Sequence, residues 1–554
     1  MSIHPAQDKT RRQRVLERQV ARLERRLAEL QATSDRFTDV RTGLALAFLP
    51  VVGGAFWFLG AGGWIALVAL VIGFAAVIAM HRRVLDGLRR FTAWRDIKRL
   101  HLARIGHDCA ALPPPRHTVP PPGHPFALDL DMVGARSVHH LLDTAHSREG
   151  SARLRDWLLA ERPVVPTIQA RQALVRELLP LTVFRDKLAL HARLAARDLD
   201  VGWDGARLLA RLEARFPDGP LRATLLILLA LAATTAVLFV GFALELLPPL
   251  WIGSLLVYGL VYVLRRGPIS ELFEDALYFV DALRRLGAVL GYLEDYHYGS
   301  NTGLKRLCAP LLAEDQRPSD LLQRFTGVAS AASLQANPLL WLAVNLLLPW
   351  DMIFAYRLNQ HKAVVAAHLP AWLDVWYELE ALCALATFAY LNPEYTFPEI
   401  IPDRRDARLG VQDTPATVQP DLFAGAGLGH PLLPHAGKVG NDFALRGLDD
   451  VVIITGSNMS GKSTFLRTVG INAALAYAGG VVNATALRLV PGRLFTAIRV
   501  TDSVTDGISY FYAEVKRLKA LLDAMEEDGD LPVLFLIDEI FRGTNNRERL
   551  LGSR

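Results

Sequence analysis

Charged and apolar positions are sharply segregated along this chain. Residues 9–36 are crowded with Arg and Glu, and through them Leu16, Val20, Leu23, Leu27 and Leu30 recur at alternating spacings of four and three. That is the period of one apolar helical stripe, which serves either a short coiled coil or a surface helix packed on its own protein. Residues 44–59 and 64–80 then hold no charged residue and are parted by Gly60-Ala61-Gly62-Gly63. They predict a membrane hairpin, each run near the lower limit of about 17 residues for spanning. A second pair, 223–244 and 246–264, is joined at Glu245 with Pro248-Pro249 just beyond. The stretch 338–358 is also apolar but is interrupted by Asn345, Pro349 and Asp351. Its transfer into lipid would cost several kcal/mol, so a core helix is expected there.

Charge orients the hairpins. Arg36 and Arg41 precede the first and His81-Arg82-Arg83 follow it, while Arg215 and Arg222 precede the second and Arg265-Arg266 follow it. Neither turn carries a positive charge. By the positive-inside rule both hairpins point the same way, which predicts a multi-pass protein of the cytoplasmic membrane with its soluble domains facing the cytoplasm. The first apolar run lies behind a charged helix, so a secretory leader is not expected. The prolines of 113–115 and 120–122 form a stiff linker, and from residue 126 to 390 the pattern outside the second hairpin is helical.

Composition agrees. Apolar residues make up 51% of the 554, high for a protein surrounded only by water. The three cysteines, Cys109, Cys308 and Cys383, are far apart without CxxC spacing, so neither a zinc site nor a disulfide framework is supported. The net charge of +5 matters less than its placement beside the apolar runs.

Chemistry is concentrated near the C-terminus. The β-branched run 451–455 leads into Gly456-Ser457-Asn458-Met459-Ser460-Gly461-Lys462-Ser463, the GxxxxGK[ST] loop between strand and helix. Glycines let such a loop wrap phosphates with its N–H groups, Lys462 offers a cation, Ser463 offers a hydroxyl to Mg²⁺, and Thr464 begins the helix. Residues 533–537 form an apolar strand ending in Asp538-Glu539. Asp538 would hold Mg²⁺, and Glu539 would orient or deprotonate the attacking water.

These stretches resemble the MutS family of DNA mismatch-repair ATPases. The segment Thr455 through Thr464 is similar to that family's P-loop, with its Asn-Met pair, although Ser457 stands where the family usually has Pro. Asp538-Glu539-Ile540-Phe541-Arg542-Gly543-Thr544 looks like its Walker B motif and following loop. Phe495-Thr496-Ala497-Ile498-Arg499 and Gly507-Ile508-Ser509-Tyr510-Phe511-Tyr512-Ala513-Glu514 look like the motif that reaches a partner subunit's nucleotide. The resemblance implies ATP and Mg²⁺ as cofactors, a homodimer in which Ser509 acts in trans, and DNA as partner. Gly429-His430-Pro431-Leu432-Leu433 and Asn441-Asp442 extend the likeness toward the P-loop. Residues 128–158 resemble the start of the family's helical core. The family's N-terminal mismatch reader has no counterpart, since Phe397-Pro398-Glu399 is the one F-x-E and reads as a structural turn. The family's later strand and switch His would follow residue 554, so the sequence is expected to be a fragment.

The expected fold is α plus α/β. A charged helix spans 1–42, transmembrane hairpin 1 spans 43–80, and a basic helix with the proline linker spans 81–124. A mostly helical core and lever domain spans 125–406 with hairpin 2 inserted at 223–264, and an ABC-ATPase-like P-loop domain spans 407–554. The leading functional expectation is a membrane-tethered ATPase that couples ATP turnover to binding of mismatched or branched DNA. Rivals are a transport or export ATPase, disfavoured by the lack of an LSGGQ-type motif and of polar residues in the spans, and a membrane scaffold using ATP as a switch. The Arg clusters serve DNA phosphates or membrane flanks equally well.

Overall fold

The computed structural model describes residues 5–196, 204–213, 218–265, 267–314, 317–330, 338–402, 421–434, 438–457, 460–499, 510–527 and 531–539. Its helices include, in chain order, α1 (Pro5–Leu59), α2 (Gly63–Ile105), α3 (Val165–Leu178), α4 (Thr182–Ala195), α5 (Asp218–Ala243), α6 (Trp251–Leu264), α7 (Gly267–Glu294), α8 (Pro318–Ser330), α9 (Pro338–Leu347), α10 (Trp350–Leu391), α11 (Lys462–Tyr477) and α12 (Tyr510–Glu526). The strands are β1 (Glu399–Ile400), β2 (Phe423–Leu428), β3 (Asn441–Leu445), β4 (Ala486–Leu489), β5 (Arg493–Ala497) and β6 (Val533–Ile537). The described fold is mostly helical. It divides into two compact units, one made of residues 1–145, 151–194 and 381–554, the other of 146–150 and 195–380.

In the first unit the charged helix does not stop where the apolar run begins. The chain from residue 5 to 59 is one helix, the turn at Gly60–Gly62 reverses it, and α2 returns along it. Leu16 and Val20 are buried, and Leu16 packs with Ile105 at the far end of α2 and with Leu391. The stripe therefore packs on its own protein. Lys9 donates to Asn392 Oδ1 at 2.9 Å and to Glu394 Oε1 at 3.0 Å. Where the charged stretch gives way to apolar sequence, Ser34 and His81 form a buried hydrogen bond of 3.0 Å across the two helices, with the Phe37 ring stacked on the imidazole.

Among the described residues three helical segments, 8–58, 60–105 and 220–243, are long and apolar enough to cross a membrane, while the helix Trp251–Leu264 is shorter. At 1.5 Å per residue those 14 residues reach roughly 21 Å, against about 30 Å of bilayer hydrocarbon. The fourth apolar run was expected to span from residue 246. Pro248 and Pro249, which supply no N–H to a helix, delay the helix start to Trp251, and Glu245 adopts a left-handed turn conformation with φ 58°.

Two sheets frame the C-terminal part of the first unit. The four-stranded sheet has the order β1-β4-β2-β3, with β1 parallel to β4 and β2 antiparallel to both neighbours. Its β2–β3 register shifts between Gly425 and Leu428, and Gly427 takes the bend with φ +59°, where a side chain would be strained. The F-x-E segment enters β1, and Glu399 pairs with Arg488 at 2.8 Å. The second sheet is the parallel pair β5–β6, with Leu494 opposite Leu534 and Thr496 opposite Leu536. Residues 451–455, expected as a strand, run without ladder pairing, and Val451 and Ile453 are 69% and 82% exposed.

Candidate functional site

The chain turns from residues 451–457 into α11 through Gly461, whose φ of +91° lies in the left-handed region that glycine occupies at little cost. Gly456 lies close to the loop's own side chains. A Cβ there would lie 2.8 Å from Ser460 Oγ. These two glycines bring the loop over the N-terminus of α11, where unsatisfied N–H groups and the helix dipole favour an anion. Lys462 Nζ folds back onto the loop, donating to the carbonyls of Gly456 at 2.8 Å and Ser457 at 2.9 Å. It is thereby held in reach of whatever the loop encloses.

The acidic pair arrives on β6. Backbone N–H of Asp538 donates to Ala497 O at 3.0 Å, extending the β5–β6 ladder by one bond. The Ser463 hydroxyl donates to Asp538 Oδ2. One hydroxyl and one carboxylate oxygen therefore converge beside the helix N-terminus, a donor set that suits Mg²⁺ completed by phosphate oxygens and water rather than an all-protein cage. Among the described residues no group of three His, Cys, Asp or Glu side chains is placed to hold a metal. Glu539 has φ 49°, a left-handed conformation costly for a non-glycine residue, and its side chain departs from the β6 alternation at the residue after Asp538.

Of the residues singled out in the sequence, Gly456, Ser457, Ser460, Gly461, Lys462, Ser463, Thr464, Asp538 and Glu539 are brought to this one edge. Asn458, Met459, Ser509 and residues 540–544 lie outside the described residues. A cavity of about 490 Å³ adjoins the loop, walled by Val452, Ile453, Leu466, Leu534 and Phe535 and reached by Lys462, Asp538 and Glu539.

Support for the site comes from residues that sequence reasoning passed over. Asp129 is wholly buried and accepts five hydrogen bonds from the chain around β5. Thr496 Oγ1 donates at 2.8 Å, the amides of Ile498 and Arg499 at 2.9 and 3.2 Å, and Arg517 Nη1 reaches both carboxylate oxygens at 2.9 Å. Arg517 also donates to Arg499 O at 2.7 Å. Two residues on, Asp131 accepts from Arg499 at 2.6 Å and from Arg467 of α11 at 3.4 Å. The flanking Phe126 and Leu130 are fully buried. Gly470 of α11 admits Leu130, because a Cβ there would lie within 3 Å of both Leu130 and Leu536. Two acids, Asp129 and Asp131, alternating with Leu128, Leu130 and Met132 were the available signal.

Asn472, also fully buried, ties the other side. Its amide donates to Gly429 O at 3.1 Å and its oxygen accepts from Asn483 N at 2.7 Å. Next to Gly429, His430 Nδ1 accepts from the Leu432 amide at 3.3 Å, which requires an unprotonated Nδ1. Burial first, and then the nearby Arg467 guanidinium, lowers the His430 pKa from its ordinary 6.5 to about 4. A base depressed in the native state binds its proton sooner in the unfolded chain. The stability this neutral ring contributes is thus complete above pH 6.5 and lost as pH falls toward 4. Urea titrations across that window are expected to show midpoints dropping with acidity, by a smaller amount in His430→Asn than in the parent. Equal slopes in the two would refute the assignment.

Comparison with known proteins places this region. Residues 452–551 match the family model of MutS domain V. Over 128 residues, 23% of its length, the chain is 38% identical to a protein of Halobacterium salinarum named DNA mismatch repair protein MutS 2, and the match covers 14% of that protein. Over 174 residues, 31% of its length, it is 32% identical to DNA mismatch repair protein MutS of Natronomonas pharaonis, covering 18% of that protein. The chain thus matches less than a fifth of either relative's length. The MutS likeness read from the P-loop and the Asp538-Glu539 motif is supported over this C-terminal stretch.

Proposed function

We propose that the chain is a MutS-like ATPase, tethered to the cytoplasmic membrane by its apolar hairpins, that couples ATP binding and hydrolysis to binding of mismatched or branched DNA. The observation that carries the reading is the convergence of Lys462, Ser463 and Asp538 at the N-terminus of α11. In this reading the amides around Gly456 to Gly461 cradle the phosphates, and Lys462 swings from the Gly456 and Ser457 carbonyls to the outer phosphates. Ser463 and Asp538 hold Mg²⁺, Glu539 positions the water for in-line attack, and Ser509 of a second copy completes the site. A Mg²⁺ ion bound there would neutralise developing charge between the outer phosphates. No residue of this chain needs to form a covalent intermediate.

Membrane attachment is supported by exposure rather than by length alone. Leu46, Leu49, Trp57 and Phe58 of α1, and Ile65 and Ile72 of α2, are each more than 60% exposed. A continuous apolar face of that kind is costly in water and stable in lipid. DNA is supported by the named function of the MutS relatives.

The test is the affinity of the detergent-solubilised full-length protein for duplex, mismatched and branched DNA, with and without ATP, across a salt series. For six or more phosphate contacts, affinity is expected to fall about 10³-fold or more between roughly 50 and 200 mM salt, and to change with ATP. Absence of binding at low salt would remove DNA from the reading and leave an ATP-driven machine acting on another partner.

A further inference from the structure

In the second unit, α9 does not behave as the core helix that its sequence suggests. Leu342, Leu346 and Leu347 are 55%, 48% and 74% exposed, as is Leu348 just beyond the helix at 49%, and Leu342 and Leu346 lie one turn apart on the same side. The opposite side is fastened to the second hairpin. Trp341 packs against a cluster formed by Leu221 and Leu228 of α5, Tyr258 and Tyr262 of α6, and Met352 and Ala355 of α10.

The polar residues that made this stretch look unfit for lipid are sealed within that cluster. Asp351 is 2% exposed and Asn345 5%. Tyr262 Oη and Trp341 Nε1 each donate to Asp351 Oδ2 at 2.8 Å, and Asn345 Nδ2 donates to Asp351 Oδ1 at 3.3 Å. The Asp351 amide donates to Asn345 Oδ1 at 3.1 Å, and Tyr258 Oη donates to Asn345 O at 2.6 Å. Their desolvation is met by partners inside the protein, so among the described side chains those that α9 would turn to hydrocarbon are leucines and an alanine.

We infer that α9 is an interfacial helix that inserts its leucine face into the inner leaflet beside the second hairpin. Ten residues reach about 15 Å, half the hydrocarbon thickness, so the helix enters one leaflet and does not cross. The leaflet follows from its tether. Tyr258 and Tyr262 occupy the last two turns of α6, next to Arg265 at the positively flanked end. Trp350, its ring tilted against Phe354 with centroids 4.5 Å apart, then stands where interfacial aromatic residues favour the headgroup boundary. The inference rests on the membrane reading above and adds a surface to it. It also gives the short α6 a companion, since α9 covers the flank carrying Tyr258 and Tyr262 while Leu256, Leu260 and Val263 remain exposed.

The experiment is depth-dependent quenching. A bimane fluorophore is placed at Leu347→Cys, Val237→Cys on α5, or Val439→Cys in the C-terminal part, each in full-length protein carrying Cys109→Ser; Cys308 and Cys383 are buried. Each protein is reconstituted into vesicles of phosphatidylcholine with either plain or brominated acyl chains. Loss of fluorescence in brominated vesicles at positions 237 and 347, but not at 439, is the expected result. Quenching at 237 without quenching at 347 overturns the inference and leaves the hairpin in the membrane, with the leucine face open to a protein partner. Quenching at neither position removes the membrane reading and the inference with it.

Discussion

Replacing Asp129 with alanine is expected to destabilise the C-terminal part of the first unit by about 3–5 kcal/mol, the usual cost of removing one partner from a buried ion pair. The size follows from what would be stranded. The amides of Ile498 and Arg499 lose their acceptor and the Arg517 guanidinium loses its counter-charge, while Arg517 keeps the Arg499 carbonyl and Thr496 the Pro125 carbonyl, at a place where the carboxylate itself has no solvent exposure. Arg517→Ala should cost less, because its side chain is 25% exposed and Asp129 keeps three other donors. The consequence for function is positional. Asp129 grips Arg499 on one side and Arg517 on the other, so it fixes both flanks of the segment that carries Ser509. Two units need not unfold together, so the measurement is hydrogen exchange of peptides covering β5 and α12 alongside a denaturant midpoint. Unchanged exchange in residues 494–499 of Asp129→Ala would show that the carboxylate is dispensable.

What the sequence disclosed, and what it hid, divides by the range of the interaction. The turn into α11 was legible because its residues are local: two glycines, a lysine and a hydroxyl lie within eight residues ahead of a helix. The first hairpin was legible because runs without charge and a glycine break need no partner to be recognised. Asp129 was not, because its meaning lies in donors more than 360 residues away, and no periodicity records such a contact. Asn345 and Asp351 show the same limit from the other direction. Taken singly they argue against lipid, and only the tyrosines of α6 reveal that they are satisfied. Residues 451–455 show a third case, in which β-branched composition reports fitness for a pleated surface while ladder pairing depends on neighbours.

The largest kinetic effect is expected at Glu539. Asp538 and Glu539 are adjacent acids, yet on the proposed reading their surroundings suit them to different work. Asp538 is engaged by the Ser463 hydroxyl at the helix N-terminus, whereas the left-handed backbone at Glu539 turns that side chain out of the strand. A conformation that costs about 1–3 kcal/mol is kept at functional sites when it aims a group that a regular strand would misdirect. Glu539→Gln removes the basic oxygen while preserving size and backbone. ATP binding should therefore stay within about threefold of the parent, and steady-state hydrolysis should fall by about 10² to 10⁴, the range of general-base catalysis. Ser463→Ala separates the roles, since on the proposed reading it removes a hydroxyl that would hold Mg²⁺ and should weaken Mg²⁺-dependent nucleotide binding itself. The comparison needs full-length protein in nanodiscs, with binding read by a fluorescent nucleotide and turnover by phosphate release. Hydrolysis undiminished in Glu539→Gln would transfer the water-positioning role to another group. A fall in binding as large as the fall in turnover would place Glu539 among the ligands of the nucleotide instead.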